Sequence, residues 1–481
     1  MFRGIPYAEP PVGALRFGEP RPVHGWAGAR PAVSFGPPPP QPSMFGPPAG
    51  LGPEAADENW LTVNVWSPDS TPHAGLPVLV WIPGGAYVIG ASSFPEYDGC
   101  RLAAGGVVVV TVNYRLGVEG FAQIEGAPAN RGLLDQVAAL RWVQENIRAF
   151  GGDPERVTVF GESAGAGSIA ALLVMPCAVG LFHRAITQSV PGPFFSPELA
   201  ADIGAAIAAE LGVRPTMAGL STVKPWQLPA AGEAVSAKVE HWAARWGSIT
   251  QRRMLFAPVI DGDVLPASPW QALAAGVGRD VDLVVGHTRD EHRLFSLIDG
   301  VLGQVTEEQA ETALQVLAPG PDGSRRYRES YPAACPEELY ELVNSDWLFR
   351  MPSLHLAQAH STGGGRTYVY ELTWTAPGMG GALGACHGLD VPLVFGNLGS
   401  GQPAMLIGEP PSAAAVSLSA WIRSAWTAFA ADGEPGWPAY DAEQGLVQLL
   451  DTPPTVTSYP EEASRLLWQQ HTFSALPLID R

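Results

Sequence analysis

The chain has 481 residues, 46% of them hydrophobic, and 28 basic against 47 acidic side chains give it a formal net charge of −19. A surface so acidic repels phosphate backbones, which argues against a nucleic-acid partner. Apolar runs such as residues 107–112 are too short to cross a bilayer, and residues 1–7 carry no hydrophobic leader.

Residues 35–56, rich in proline and glycine, read as a surface loop. Residues 76–82 (Leu-Pro-Val-Leu-Val-Trp-Ile) and 107–113 are near-continuous apolar runs, the signature of strands buried on both faces of a parallel sheet. Leu133, Val137, Leu140, Val143 and Ile147 recur at helical spacing, and Gly151-Gly152 stops that helix. A β-branched strand then runs into Gly161-Glu162-Ser163-Ala164-Gly165, and the small, apolar residues 164–175 predict a helix. Residues 198–211 read as a surface helix, and 281–285 and 367–371 as further strands. Strands alternating with helices imply a mostly parallel sheet flanked by helices, with the reactive groups on loops beyond the strands' carboxyl ends. No linker, charge block or repeat divides the chain, so residues 1–481 read as a single domain with large insertions. Cys100, Cys177, Cys335 and Cys386 are widely spaced, without Cys-x-x-Cys, which speaks against a zinc cage or disulfide framework and for a reducing, cytoplasmic setting.

With 55 glycines in the chain, a chance Gly-x-Ser-x-Gly is not rare. The strand before it and the helix after it give this one meaning, because that setting thrusts the Ser163 hydroxyl out of a strained turn. An acyl-transfer serine needs a base, a group to orient the base, and donors for the oxyanion. Pro83-Gly84-Gly85-Ala86-Tyr87 follows the first apolar strand. There the N–H groups of Gly85 and Ala86, with that of Ala164, form a candidate oxyanion hole, in which each donor is worth about 3 kcal/mol. Of ten histidines, His387 lies in a loop beyond the 367–371 strand. The candidate acid is Glu291, with Asp290 its immediate rival. The order Ser163, Glu291, His387 is that of the α/β-hydrolase plan.

These residues lie within longer motifs that resemble the type-B carboxylesterases, the family of the cholinesterases and the bacterial para-nitrobenzyl esterases. Phe2-Arg3-Gly4-Ile5-Pro6-Tyr7-Ala8, Glu58-Asn59-Trp60-Leu61-Thr62-Val63-Asn64-Val65-Trp66, Asn113-Tyr114-Arg115, Phe150-Gly151-Gly152-Asp153-Pro154 and Trp437-Pro438-Ala439-Tyr440 carry the likeness almost end to end. The resemblance implies an α/β-hydrolase fold and a triad of Ser163, His387 and Glu291, favouring Glu291 over Asp290. It also implies Gly85, Ala86 and Ala164 as oxyanion donors, no metal or organic cofactor, and structural ion pairs Arg16–Glu58 and Arg115–Asp135. The chain departs from the pattern at several points. Trp60 replaces a disulfide cysteine, leaving the 35–56 loop to be held by packing. Pro83 stands for a histidine, Ala86 and Val190 for glycines and Asp390 for a glutamate, and the early strands that usually precede the Phe2–Tyr7 motif are not in this chain.

The expectation is therefore a serine carboxylesterase acting on small to medium neutral esters. Relatives with the Gly84-Gly85-Ala86 pattern extend this to esters of bulky alcohols. It would be a cytoplasmic monomer or weak homo-oligomer with no membrane or nucleic-acid partner. The competing readings are a catalytically silent binding module of the same family, and an amide or carbamate hydrolase.

Overall fold

The computed structural model describes residues 1–42, 58–401 and 404–479. Among the described residues twelve strands run in chain order as β1 Phe2–Pro6, β2 Thr62–Trp66, β3 Leu76–Ile82, β4 Val108–Val112, β5 Gly152–Glu162, β6 Arg184–Gln188, β7 Phe194–Phe195, β8 Asp282–Thr288, β9 Thr367–Leu372, β10 Leu446–Leu450, β11 Thr455–Ser458 and β12 Ala475–Leu476. Ten form one sheet in the order β1-β2-β4-β3-β5-β6-β8-β9-β10-β11, and β7 and β12 pair separately. From β4 to β10 every pairing is parallel, while β1, β2 and β11 add antiparallel edges. The mostly parallel sheet of the α/β-hydrolase plan is thus present.

Alternation of side chains explains the layers. Val78, Val80 and Ile82 of β3 join one apolar core together with the helix Arg131–Asn146 and the helix Ala164–Leu172. Leu79 and Trp81 face the opposite core, where Ile422, Trp426 and Phe429 of the helix Ala413–Asp432 cover the sheet. Val108 to Val112 are buried throughout, as an apolar run with no solvent face requires. The Arg131–Asn146 helix ends through a short 3₁₀ turn at Gly151, whose φ of 84° suits glycine.

Two sequence expectations need adjusting. Arg16 does not pair with Glu58: its guanidinium meets Glu119 at 2.7 Å and also donates to the Ser221 and Val223 carbonyls, while Glu58 is exposed. Glu119 is buried on the Gly117–Phe121 helix, so it offers a desolvated carboxylate that the exposed Glu58 does not. Arg115 pairs with Asp135 as expected, through two N–H donors at 2.7 and 2.8 Å. The helix Pro197–Glu210 buries Leu199, Ile203 and Ile207, so it is amphipathic rather than wholly superficial. The 35–56 loop lies within the described residues only as far as residue 42. No helix among the described residues is long and apolar enough to cross a membrane, and the four cysteines are free.

Candidate active site

The parallel register gathers the candidate residues at one edge of the sheet. β5 ends at Glu162, paired with Gln188 of β6, which in turn lies beside Gly286 of β8. Ser163, the next residue after β5, has φ 55° and ψ −123°, a conformation that non-glycine residues rarely adopt. Its N–H is tied to the Gln188 carbonyl at 2.9 Å, and its own carbonyl accepts from Gly167 N at 2.9 Å. The neighbouring glycines allow this turn. A Cβ on Gly165 would come within 2.0 Å of the Ile82 carbonyl oxygen, so strand and helix approach as closely as backbone permits.

Glu291 follows β8 and is fully buried. One carboxylate oxygen accepts the Ser189 hydroxyl at 2.6 Å and the Thr288 N–H at 2.9 Å, and the other meets His387 Nδ1 at 2.6 Å. Burial alone would raise this carboxyl. The charge and hydrogen bond of His387, together with the Ser189 and Thr288 donors, outweigh it, and Glu291 lies below its ordinary value. Asp290, the rival acid, is committed elsewhere: it takes Arg289 at 2.8 Å and the Ala385 N–H at 2.8 Å, fastening the acid loop to the histidine loop.

His387 stacks on Phe349, with ring centroids 4.1 Å apart and 23° between planes. Its Nε2 lies 3.0 Å from Glu162 Oε1. Burial pulls the imidazole's pKa down, but Glu162 and Glu291 push harder the other way and lift it to about 9. Glu162, deeply buried, is itself shifted upward chiefly by desolvation, against the pull of His387. Ser163 Oγ makes no hydrogen bond to His387 among the described residues, so the resting imidazole faces the carboxylate next to the nucleophile. The structure thus joins Glu291 to His387 directly and brings Ser163 to them through its neighbour.

The Pro83–Tyr87 turn lies against the same point. A Cβ on Gly84 would meet the Glu162 carbonyl oxygen at 2.6 Å and Ser163 Cβ at 3.2 Å. Gly85 (φ 116°) and Ala86 (φ 54°) are in left-handed conformations, and their N–H groups donate to no acceptor among the described residues. The turn is braced in place of the missing histidine. The Tyr114 hydroxyl donates to the Pro83 carbonyl at 2.6 Å, Val88 and Ile89 N–H both reach the Gly85 carbonyl at 3.0 Å, and the Gln41 amide clamps Gly90 at 3.0 and 3.1 Å. From Ala86 a cavity of about 370 Å³ opens between Val88, Leu116, Val118, Met254 and Phe256. Among the described residues no group of His, Cys, Asp and Glu is arranged to hold a metal ion.

Sequence reasoning passed over the Glu162 and Ser189 side chains. Glu162 lies in the Gly161–Gly165 motif beside the serine and Ser189 directly after β6; the available signal was a polar side chain at the carboxyl end of a buried strand. The substitution of Asp390 for glutamate leaves a buried carboxyl that accepts the Tyr370 hydroxyl at 2.9 Å.

Comparison with known proteins identifies the family. The carboxylesterase family model matches residues 1–468. The para-nitrobenzyl esterase of Bacillus subtilis (strain 168) is 40% identical over 475 residues, covering 96% of this chain and 94% of that protein. Phenmedipham hydrolase of Pseudarthrobacter oxydans is 35% identical, covering 94% and 91%. A crystal structure of a Geobacillus stearothermophilus carboxylesterase superposes with a TM-score of 0.84 at 36% identity, covering 97% of this chain and 96% of the other. With a strained serine, a buried acid–imidazole pair and relatives of this kind, the chain belongs to the carboxylesterase family and is a serine carboxylesterase.

Proposed function

We propose that ester hydrolysis by this enzyme runs through Ser163, His387 and Glu291, on small to medium esters whose apolar arm enters the cavity beside Ala86. The observation that carries the assignment is the buried Glu291–His387 bond of 2.6 Å next to the strained Ser163 turn.

In this reading the imidazole pivots on its Nδ1–Glu291 bond and turns Nε2 from Glu162 to Ser163 Oγ. The hydroxyl attacks the ester carbonyl carbon as Nε2 takes its proton. Glu291 keeps Nδ1 protonated and, with Glu162, stabilises the imidazolium that forms. Negative charge on the carbonyl oxygen is met by the N–H groups of Gly85, Ala86 and Ala164, which need no rearrangement to receive it. The alcohol leaves with the proton from Nε2. Water then cleaves the acyl-enzyme by the same route and releases the acid.

The reading extends to esters of bulky alcohols, because Gly84, Gly85 and Ala86 put almost no side chain around the oxyanion. It also extends to a cytoplasmic enzyme, monomeric or weakly self-associating, without nucleic-acid partners; a net charge of −19 and four free cysteines support this. The test is the release of p-nitrophenol from an aryl ester on mixing. Wild-type enzyme gives a burst equal to the enzyme concentration. Ser163→Ala, with an unchanged circular dichroism spectrum, gives none, and a surviving burst would remove the assignment.

A further inference from the structure

The cavity beside Ala86 is walled largely by apolar side chains, but Arg252 and Arg253 line it as well. The Arg252 side chain is only 8% exposed. It commits one N–H to Asp299 at 3.0 Å, and its guanidinium carbon lies 5.2 Å from the centre of the Phe295 ring. That ring is itself 5.2 Å from His387, centre to centre. A largely desolvated cation is therefore held one aromatic ring away from the imidazole. Arg253 is exposed, at φ 51°, and its guanidinium has no partner among the described residues. Of the carboxylates lining the cavity among the described residues, Glu119 is neutralised by Arg16 at 2.7 Å and Glu233 is exposed, while Asp299, which pairs with Arg252, lies outside the lining.

We propose that this cavity receives an ester arm that is apolar along its length and ends in a carboxylate, with Arg252 reading that end and Arg253 assisting at the mouth. This rests on the ester-hydrolase reading above. A guanidinium carries five N–H donors in a planar fork. Asp299 takes one of Arg252's and the Tyr340 hydroxyl stands beside another, so donors remain for a substrate carboxylate, and charge-assisted bonds of this kind are the strong ones. The proposal departs from the expectation of neutral esters, and the acidic net charge of the chain does not stand against it. Net charge sets the field at a distance and is screened within about 8–10 Å at ordinary salt, whereas a buried guanidinium decides at contact.

The test compares matched esters. On the acyl side p-nitrophenyl monoadipate is set against p-nitrophenyl heptanoate; on the alcohol side the acetate ester of hydroxyhexanoate is set against hexyl acetate. The readout is the charged-to-neutral ratio of kcat/KM in wild type, Arg252→Gln and Arg253→Gln. In one of the two series the ratio is expected to fall about tenfold or more in Arg252→Gln, the effect of losing a hydrogen bond to a charged group, and by a smaller factor in Arg253→Gln. Should Arg252→Gln fail to fold, the exposed Arg253→Gln and a salt titration of the wild type carry the test, with the ratio falling in each. Ratios that stay flat in both series, or a wild type that turns over nehither charged ester, overturn the proposal. Wild-type turnover of the neutral esters reports separately on the ester-hydrolase reading.

Discussion

Replacing Glu162 with glutamine separates the two carboxylates that surround His387. Its Oε1 is 3.0 Å from Nε2, while Glu291 holds Nδ1 at 2.6 Å. At an effective dielectric of about 20, opposite unit charges at such a distance attract by about 5 kcal/mol, which is a ceiling because both groups are also desolvated. Even a quarter of that is about one pKa unit. The imidazole must be neutral to accept the Ser163 proton, so kcat/KM rises with pH through the His387 pKa, which stands at about 9. Glu162→Gln removes the largest upward push on that value. The low-pH limb of kcat/KM for p-nitrophenyl acetate is therefore expected to move toward acid by about one unit or more. The plateau should fall as well, because the imidazolium formed in the transition state loses one of its two carboxylates. A pH–rate profile of both enzymes by stopped-flow absorbance measures each effect. A limb that stays in place, or moves toward alkali, would refute the claim that Glu162 sets the resting charge of His387.

Three further substitutions address other parts of the account. Gly84→Ala puts a Cβ against the Glu162 carbonyl and Ser163, displacing the oxyanion turn; kcat should fall on the order of a hundredfold with the circular dichroism spectrum retained. Ser189→Ala strips Glu291 of its 2.6 Å hydroxyl donor. A hydrogen bond to a charged group contributes about 1.5–3 kcal/mol, so kcat/KM is expected to drop roughly tenfold or more, mainly in kcat. Arg115→Met leaves Asp135 buried and unpaired and should destabilise by about 3–5 kcal/mol. The apparent melting temperature should fall in the single variant and recover in part when Asp135→Leu is added.

Much of this was legible in the sequence because the signals were local. The strand at 76–82 is an apolar run and that at 367–371 is rich in β-branched and aromatic residues, and the structure forms them as Leu76–Ile82 and Thr367–Leu372. The serine turn was legible because the glycines flanking Ser163 answer to one backbone geometry. What stayed hidden depends on which side chains meet across the sheet. Arg16 chose Glu119 over Glu58 because the former is buried beside it, a fact of packing and not of spacing. Residue type alone could not tell Asp290 from Glu291. The family resemblance favoured Glu291, and in the structure Asp290 is spent on Arg289 and the Ala385 N–H. The Glu162 contact with His387, and Arg252 at the cavity wall, each join segments more than a hundred residues apart in sequence or across an intervening ring, and no periodicity announces them.

The account's central claim is that Ser163 is the atom donor for the acyl-enzyme. Treating the protein with a fluorophosphonate and mapping the adduct by peptide mass spectrometry tests it most directly. One phosphonyl group per chain, on the peptide bearing Ser163 and with loss of esterase activity in proportion, is the predicted result. An inactivated enzyme whose adduct lies on any other residue would contradict it.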